Sequence, residues 1–319
     1  MLIFVRKLVR YRTNFLNRSI FLRYICIFLI LILTSCATLK TKANIASEYY
    51  VMGNQYFELE NYDKAIESYK KALDYDKTLT DVNINLVLAY QIQKKYAEAE
   101  KIIMTEYTDK QDNYNKNLLL LMGNNYFFQE KFDYAIKILK TYCELYPTDE
   151  NGTFNLALAY NKINDDENFL KYLLETYNIK KTFPPALYNL GNYYYSHEDY
   201  KNAMDYYHQL IEVDKNNPES YYRLGLLEYK LDEYDFAKEH FQKCIDLDKE
   251  NPQYYLEIAK IYAKGYKDKK STLIYIEKAL ENNFKDMAYL QTQEEFELLK
   301  EFSEFEELLD KYNLLNKKK

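Results

Sequence analysis

The chain has 319 residues, 43 Lys and Arg against 49 Asp and Glu, 37 Tyr, no Trp, and only 6 Gly and 5 Pro. So few glycines exclude a fold built on many tight turns, such as a β-sandwich or a propeller, and 29% charged beside 48% hydrophobic residues excludes wholesale disorder. A net charge of −6 leaves no electrostatic footprint for nucleic acid. In chain order, residues 1–35 come first, with six bases (Arg6, Lys7, Arg10, Arg12, Arg18, Arg23) and no acid. An apolar run follows the last base, from Tyr24 to Leu33. A basic region, a short apolar run and then small residues are the layout of a secretory signal. The run falls well short of the ~20 residues that span a bilayer as a helix. An uncleaved anchor is the alternative, but Arg23 interrupts any longer apolar span.

The run ends in Leu33-Thr34-Ser35-Cys36, which resembles the lipobox of bacterial lipoproteins. That resemblance implies removal of residues 1–35 and a diacylglyceryl thioether on Cys36, with a further acyl chain on the freed amine. Two or three acyl chains anchor a protein stably. The expected location is the extracytoplasmic face of a bacterial membrane. Ala37 after the Cys favours the outer membrane over the inner one. Without the six bases the net charge becomes −12. Residues 36–45 are then a lipidated Cys and a short tether.

From residue 46 the chain repeats itself. Gly53, Gly123, Gly191 and Gly225 are each followed twelve residues later by Ala65, Ala135, Ala203 and Ala237. Sixteen residues after the same glycines stand Tyr69, Leu139, Tyr207 and Phe241. Tyr49, Met52, Tyr56 and then Ala65, Tyr69, Ala72 keep helical intervals. This pattern resembles the tetratricopeptide repeat, two antiparallel helices in about 34 residues, with Gly eighth, Tyr eleventh and Ala twentieth. Seven repeats then start at residues 46, 80, 116, 150, 184, 218 and 252, and run to 285. All steps are equal except the one between the second and third, which is longer by two. The expected fold is an all-α, right-handed α-solenoid, closed by capping helices and a basic tail over residues 286–319. The eighth place requires a small side chain where the two helices cross. All five prolines sit at junctions, where helix starts tolerate them.

Two departures stand out. The fourth repeat has Phe169 in the small twentieth place and Asp166 where others have an aromatic, so its second helix is expected further out. The seventh needs one extra residue near Gly265-Tyr266-Lys267 to bring Ala279 into phase.

Chemistry is sparse. Glycines are not clustered as a phosphate loop needs. No cofactor, metal or catalytic residue is expected, and the reading is not an enzyme. Of three His, His208 and His240 lie on neighbouring second helices, and both are expected at the surface or a groove edge. Cys143 and Cys244 are expected as small buried packing residues, three repeats apart and unbridged.

The family resemblance further implies a concave groove lined by first helices, where partners dock. Carried over, its lining holds Asn54, Asn85, Asn124, Asn155, Asn189, Asn192, Arg223, Tyr188 and Tyr222. The pairs Asn54/Asn85, Asn124/Asn155 and Asn192/Arg223 share one spacing, three positions short of a full repeat. In related arrays, Asn at these places grips the backbone or terminal carboxylate of an extended peptide. Tyr50, Phe57, Phe127, Phe128, Tyr195 and Tyr229 add an aromatic floor. The expected partners are a protein or peptide, and a membrane through the lipid. The expected role is a scaffold for protein–protein interaction at the envelope. The alternatives are an accessory subunit of an assembly, secretion or wall-remodelling complex, or a solenoid binding a glycan or small ligand.

Overall fold

A computed structural model describes residues 41–106 and 116–316, with side chains to 312. The signal segment, Cys26, Cys36 and the Lys317–Lys319 tail lie outside the described residues. Those that are described contain helices and turns and no strand, arranged as an α-solenoid of consecutive helix–turn–helix pairs. None of these helices is long and apolar enough to cross a membrane. The chain divides into two compact units, one up to Tyr142 and one from Cys143 onward.

The first unit holds α1 (helical from residue 41 to 58), α2 (Tyr62–Tyr75), α3 (Thr80–Ile92), α4 (Tyr96–Glu106), α5 (Lys116–Phe128) and most of α6 (Phe132–Leu145). Residues 41–45, expected in the tether, are already helical. The second unit holds α7 (Glu150–Lys162), α8 (Asp166–Ile179), α9 (Pro184–Ser196), α10 (Tyr200–Val213), α11 (Pro218–Lys230), α12 (Tyr234–Leu247), α13 (Pro252–Lys260) and α14 (Lys269–Glu281). It ends in α15 (Met287–Thr292), a 3-10 turn (Glu294–Leu299) and α16 (Ser303–Asn316). First helices α3, α5, α7, α9, α11 and α13 begin at the residues that the repeat phase marks.

Local chemistry sets these starts. Asn217 and Asn251 cap α11 and α13 through their side chains, and each helix then opens on a proline. A proline there removes an N–H that would have no helical partner anyway. Asn61, Asp165 and Asp199 cap second helices α2, α8 and α10 in the same way.

The turn inside each repeat is set by one left-handed residue. Glu60, Lys94, Glu130, Asn164, Glu198, Asp232 and Lys267 all have φ between 54° and 61°. In the third repeat the Lys131 N–H then reaches back to the Tyr126 carbonyl at 2.9 Å, and the fifth repeats this from Asp199 to Tyr194. This is the Schellman way of ending a helix, where glycine is the favoured residue. None of the seven is Gly. We expect Glu60→Gly, Glu130→Gly and Glu198→Gly each to stabilise by about 0.5–1 kcal/mol, through relief of left-handed strain. Thermal midpoints check this, and three unchanged or lowered midpoints would remove the strain argument.

Packing explains the rare residues. A Cβ on Gly53 would lie 2.4 Å from the Tyr69 ring, and one on Gly191 2.4 Å from the Tyr207 ring. On Gly225 it would meet Phe241 at 2.9 Å. On Gly123 it would meet Leu139 at 2.6 Å, whereas three other repeats hold a larger eighth residue opposite an aliphatic one. Val87 with Ile103, Ala157 with Leu173, and Ala259 with Ile276 are all buried at 0–1% exposure. The alanines of the twentieth place, Ala65, Ala135, Ala203 and Ala237, are fully buried. Phe169, in that place, is also buried, with its ring edge-on to Tyr193 of the next repeat. Its bulk is taken up between repeats.

The extra residue of the seventh repeat is absorbed as a π turn, Ile261–Gly265, that continues α13. A π turn is how a helix accommodates one inserted residue. Gly265 is needed there, because a Cβ would sit 2.7 Å from the Tyr234 ring. Beyond it, Leu290, Phe296, Leu299, Phe305 and Leu309 cover the apolar face of α13 and α14. The outward residues of this segment are mostly glutamates, as a solenoid end requires.

Candidate functional site

The first helices present the residues of the fifth, sixth and ninth places side by side. In the first unit Asn85, on α3, donates from Nδ2 to Asn54 Oδ1 on α1 at 2.9 Å. The same nitrogen lies 3.3 Å from the Tyr50 hydroxyl. Asn54 Oδ1 also accepts from the Tyr69 hydroxyl at 2.8 Å. Burial pushes the Tyr69 phenol up to about 12, so it remains a donor. Asn54 and Asn85 are therefore brought together, as their spacing suggests. The Asn54 carbonyl is fully engaged, while its NH2 group and the Asn85 carbonyl have no partner among the described residues.

In the second unit the corresponding face is arranged differently. Asn192 Oδ1 accepts from the Tyr207 hydroxyl at 2.8 Å. Arg223 donates from Nε to Glu219 at 2.7 Å and from Nη2 to the Tyr188 hydroxyl at 2.7 Å. Its guanidinium also lies 5.3 Å from the Tyr188 ring centroid. Arg223 thus ties α9 to α11. Asn189 turns back on its own helix and donates to the Pro185 carbonyl at 2.8 Å. Tyr222 donates to Glu257 at 3.4 Å, and burial, then the Glu257 charge, pushes its phenol up. Glu257 is almost fully buried and is further held by Gln253 at 2.6 Å and Lys260 at 3.2 Å. Asn124 and Asn155 fall in different units, and both are engaged in interactions of their own.

Several partners were not foreseen. Tyr69 and Tyr207 belong to second helices, yet their hydroxyls reach the ninth place of the first helix. The signal was present, because both stand opposite a glycine with an Asn directly after it. The Glu219–Arg223 pair was also readable as an i, i+4 pair on one helix face. The Glu257–Lys260 cluster needed the fold.

Two other expectations change. His240 is only partly exposed, and its Nδ1 lies 2.7 Å from the buried Glu228 carboxylate. His197 and His208 are exposed. Cys244 is buried as expected, with its thiol pushed up to about 12 by burial. Cys143 is only half-buried, and its Sγ sits 3.9 Å from Thr153 Oγ1. Both thiols are free.

Residues 46–79 and 218–251 match one tetratricopeptide-repeat family model, 184–217 match a second, and 118–149 match a third. The chain carries tetratricopeptide repeats. Among solved structures, it is similar to PilF of Pseudomonas aeruginosa, at 18% identity and a TM-score of 0.54, over 67% of this chain and 96% of that one. It is also similar to MamA of Desulfovibrio magneticus RS-1, at 18% identity and a TM-score of 0.48, over 52% and 94% of the two chains. A further likeness is to YrrB, described as a TPR protein with an unusual peptide-binding site, at 15% identity and a TM-score of 0.49 over 56% and 91%. At these identities the likeness to PilF concerns the fold of the tetratricopeptide repeats alone. No curated protein matches the sequence.

Proposed function

We propose that the protein is a membrane-anchored tetratricopeptide-repeat scaffold that docks extended peptide segments of protein partners on its first-helix face. The Asn54–Asn85 pair carries this reading. It leaves one NH2 donor and one carbonyl acceptor side by side. A backbone amide offers the matching acceptor and donor, so the pair holds a peptide without reading its sequence. Tyr50 and Phe57, half-buried beside the pair, supply apolar surface for side chains. No catalytic constellation is invoked, and the reading is a binding module rather than an enzyme.

The anchor in this reading is the lipid on Cys36 of the lipobox-like Leu33-Thr34-Ser35-Cys36. It places the repeats outside the cytoplasm of a bacterial cell, on the outer membrane in preference to the inner. There the scaffold collects partners, as an accessory subunit of an assembly, secretion or wall-remodelling complex would.

The test is an array of twelve-residue peptides of varied sequence, probed with the full chain and with Asn54→Ala/Asn85→Ala. Two amide hydrogen bonds of about 1 kcal/mol each predict a loss of roughly tenfold or more in retained protein. Helicity should be unchanged, and Tyr69→Phe controls for the lost internal bond. Equal retention by the double variant would reject the amide grip.

A further inference from the structure

The eleventh and twenty-third places of a repeat face each other across its two helices. In the fourth, fifth and seventh repeats they hold stacked tyrosines. Tyr160 lies on Tyr172 at 5.5 Å and 4°, Tyr194 on Tyr206 at 5.6 Å and 8°, and Tyr262 on Tyr275 at 5.4 Å and 21°. The sixth repeat replaces this stack with Glu228 and His240. Glu228 is only 4% exposed. A buried carboxylate is costly where an aromatic pair would serve for packing. The substitution therefore has a purpose other than filling the seam.

His240 lines a cleft of about 640 Å³ in the second unit, bordered by α11, α12, α14 and the π turn after α13. With the Glu228 carboxylate accepting from Nδ1–H, the tautomer is set and Nε2 is the nitrogen left for the cleft. Three tyrosines stand among its polar lining residues. Tyr221 stacks with the imidazole on one side, and the Tyr262–Tyr275 pair stands on the other. At the rim Lys243 and Glu239 have no side-chain partner among the described residues. Asp246 accepts only from Gln242 of its own helix.

This lining selects by elimination. Asp235 and Lys238 are paired with each other at 3.8 Å, so an anion would meet the carboxylates of Glu239 and Asp246, and a cation would meet Lys243. A purely apolar molecule would strip water from all of them without replacing it. A neutral polyhydroxyl ligand suits every group, since each hydroxyl both donates and accepts. The volume is in the range of small-molecule sites. We infer that this cleft is a binding site for a short neutral glycan, with His240 Nε2 as the hydroxyl acceptor and Glu228 as its positioning residue.

The test titrates the full chain in detergent with maltotriose, cellotriose and triacetylchitotriose, followed by ligand-observed NMR. The variants are His240→Ala and the double change Glu228→Tyr/His240→Tyr, which installs the tyrosine pair of the neighbouring repeats. The expected result is binding of at least one trisaccharide by the wild type. Both variants should bind at least tenfold more weakly, while the double variant keeps its thermal midpoint. The ¹⁵N shifts of the His240 ring should move on adding that trisaccharide, and should show the changed tautomer in Glu228→Gln. A wild type that binds none of the three would overturn the inference. So would tyrosine variants that bind as well as the wild type, or capture of peptides but not sugars by the cleft.

Discussion

Gly191→Ala is expected to destabilise the second unit by about 2–3 kcal/mol, near the top of the range for overpacking a core. Elsewhere in a helix the same change would stabilise by about 1 kcal/mol through backbone entropy. The reversal comes from the Tyr207 ring, which a new Cβ would approach to 2.4 Å at Cε1 and 2.6 Å at Cδ1. That ring is 1% exposed, and its hydroxyl is held by Asn192, so it has little room to retreat. The decisive control is Tyr207→Leu. Alone it leaves a cavity and costs about 2–4 kcal/mol. In that background Gly191→Ala should become neutral or stabilising, because Ala beside Leu is the pairing the fourth repeat uses in Ala157 and Leu173. A double-mutant cycle reads the coupling directly. Equal penalties for Gly191→Ala in both backgrounds would show that the ring is not its cause.

The second large effect concerns the membrane. Cys36→Ser should move the protein from the membrane fraction to the soluble fraction or leave it as an unprocessed precursor, with loss of labelled fatty acid. The proposed thioether is the only attachment that this reading supplies, and no helix among the described residues crosses a bilayer. Two or three acyl chains hold a protein on a membrane firmly, whereas one does so reversibly. Serine has nearly the shape of cysteine but cannot form the thioether, so the change tests the chemistry and leaves the apolar run intact. Radiolabelled palmitate incorporation and fractionation in a bacterial host give the readout. Membrane retention of Cys36→Ser, with no label on the wild type, would rule out the lipid anchor.

The two effects rest on different parts of the chain and on different kinds of legibility. The repeat phase was open to reading because glycine and proline are scarce here and most of them recur at fixed places of the repeat. Pro184, Pro218 and Pro252 each open a helix, and Gly53, Gly191 and Gly225 each face an aromatic ring. Even the insertion in the seventh repeat was detectable from the displaced Ala279, although its form as a π turn was not. One extra residue can enter a loop or a helix, and only the packing of Gly265 against Tyr234 shows which.

The candidate site was less legible. The spacing of Asn54 and Asn85, just short of a full repeat, joins neighbouring repeats, and in the structure the two amides meet. Spacing does not say which atoms of an amide are already engaged. The carbonyls of Asn54 and Asn192 are held by tyrosines fifteen residues away on another helix, and Arg223 is held by Glu219 and Tyr188. The Glu228–His240 pair was also hidden, because spacing alone does not show that an acid of the first helix and a histidine of the second meet across the seam.

The sequence by itself thus determined the repeat, its phase and where the first helices from α3 to α13 begin. These depend on backbone conformation and residue volume, which act locally and recur once in every repeat. Only the tertiary structure decided which polar groups are consumed inside the protein and which remain for a ligand. Hydrogen bonds depend on direction and on the distance between helices, and neither is written in a one-dimensional spacing.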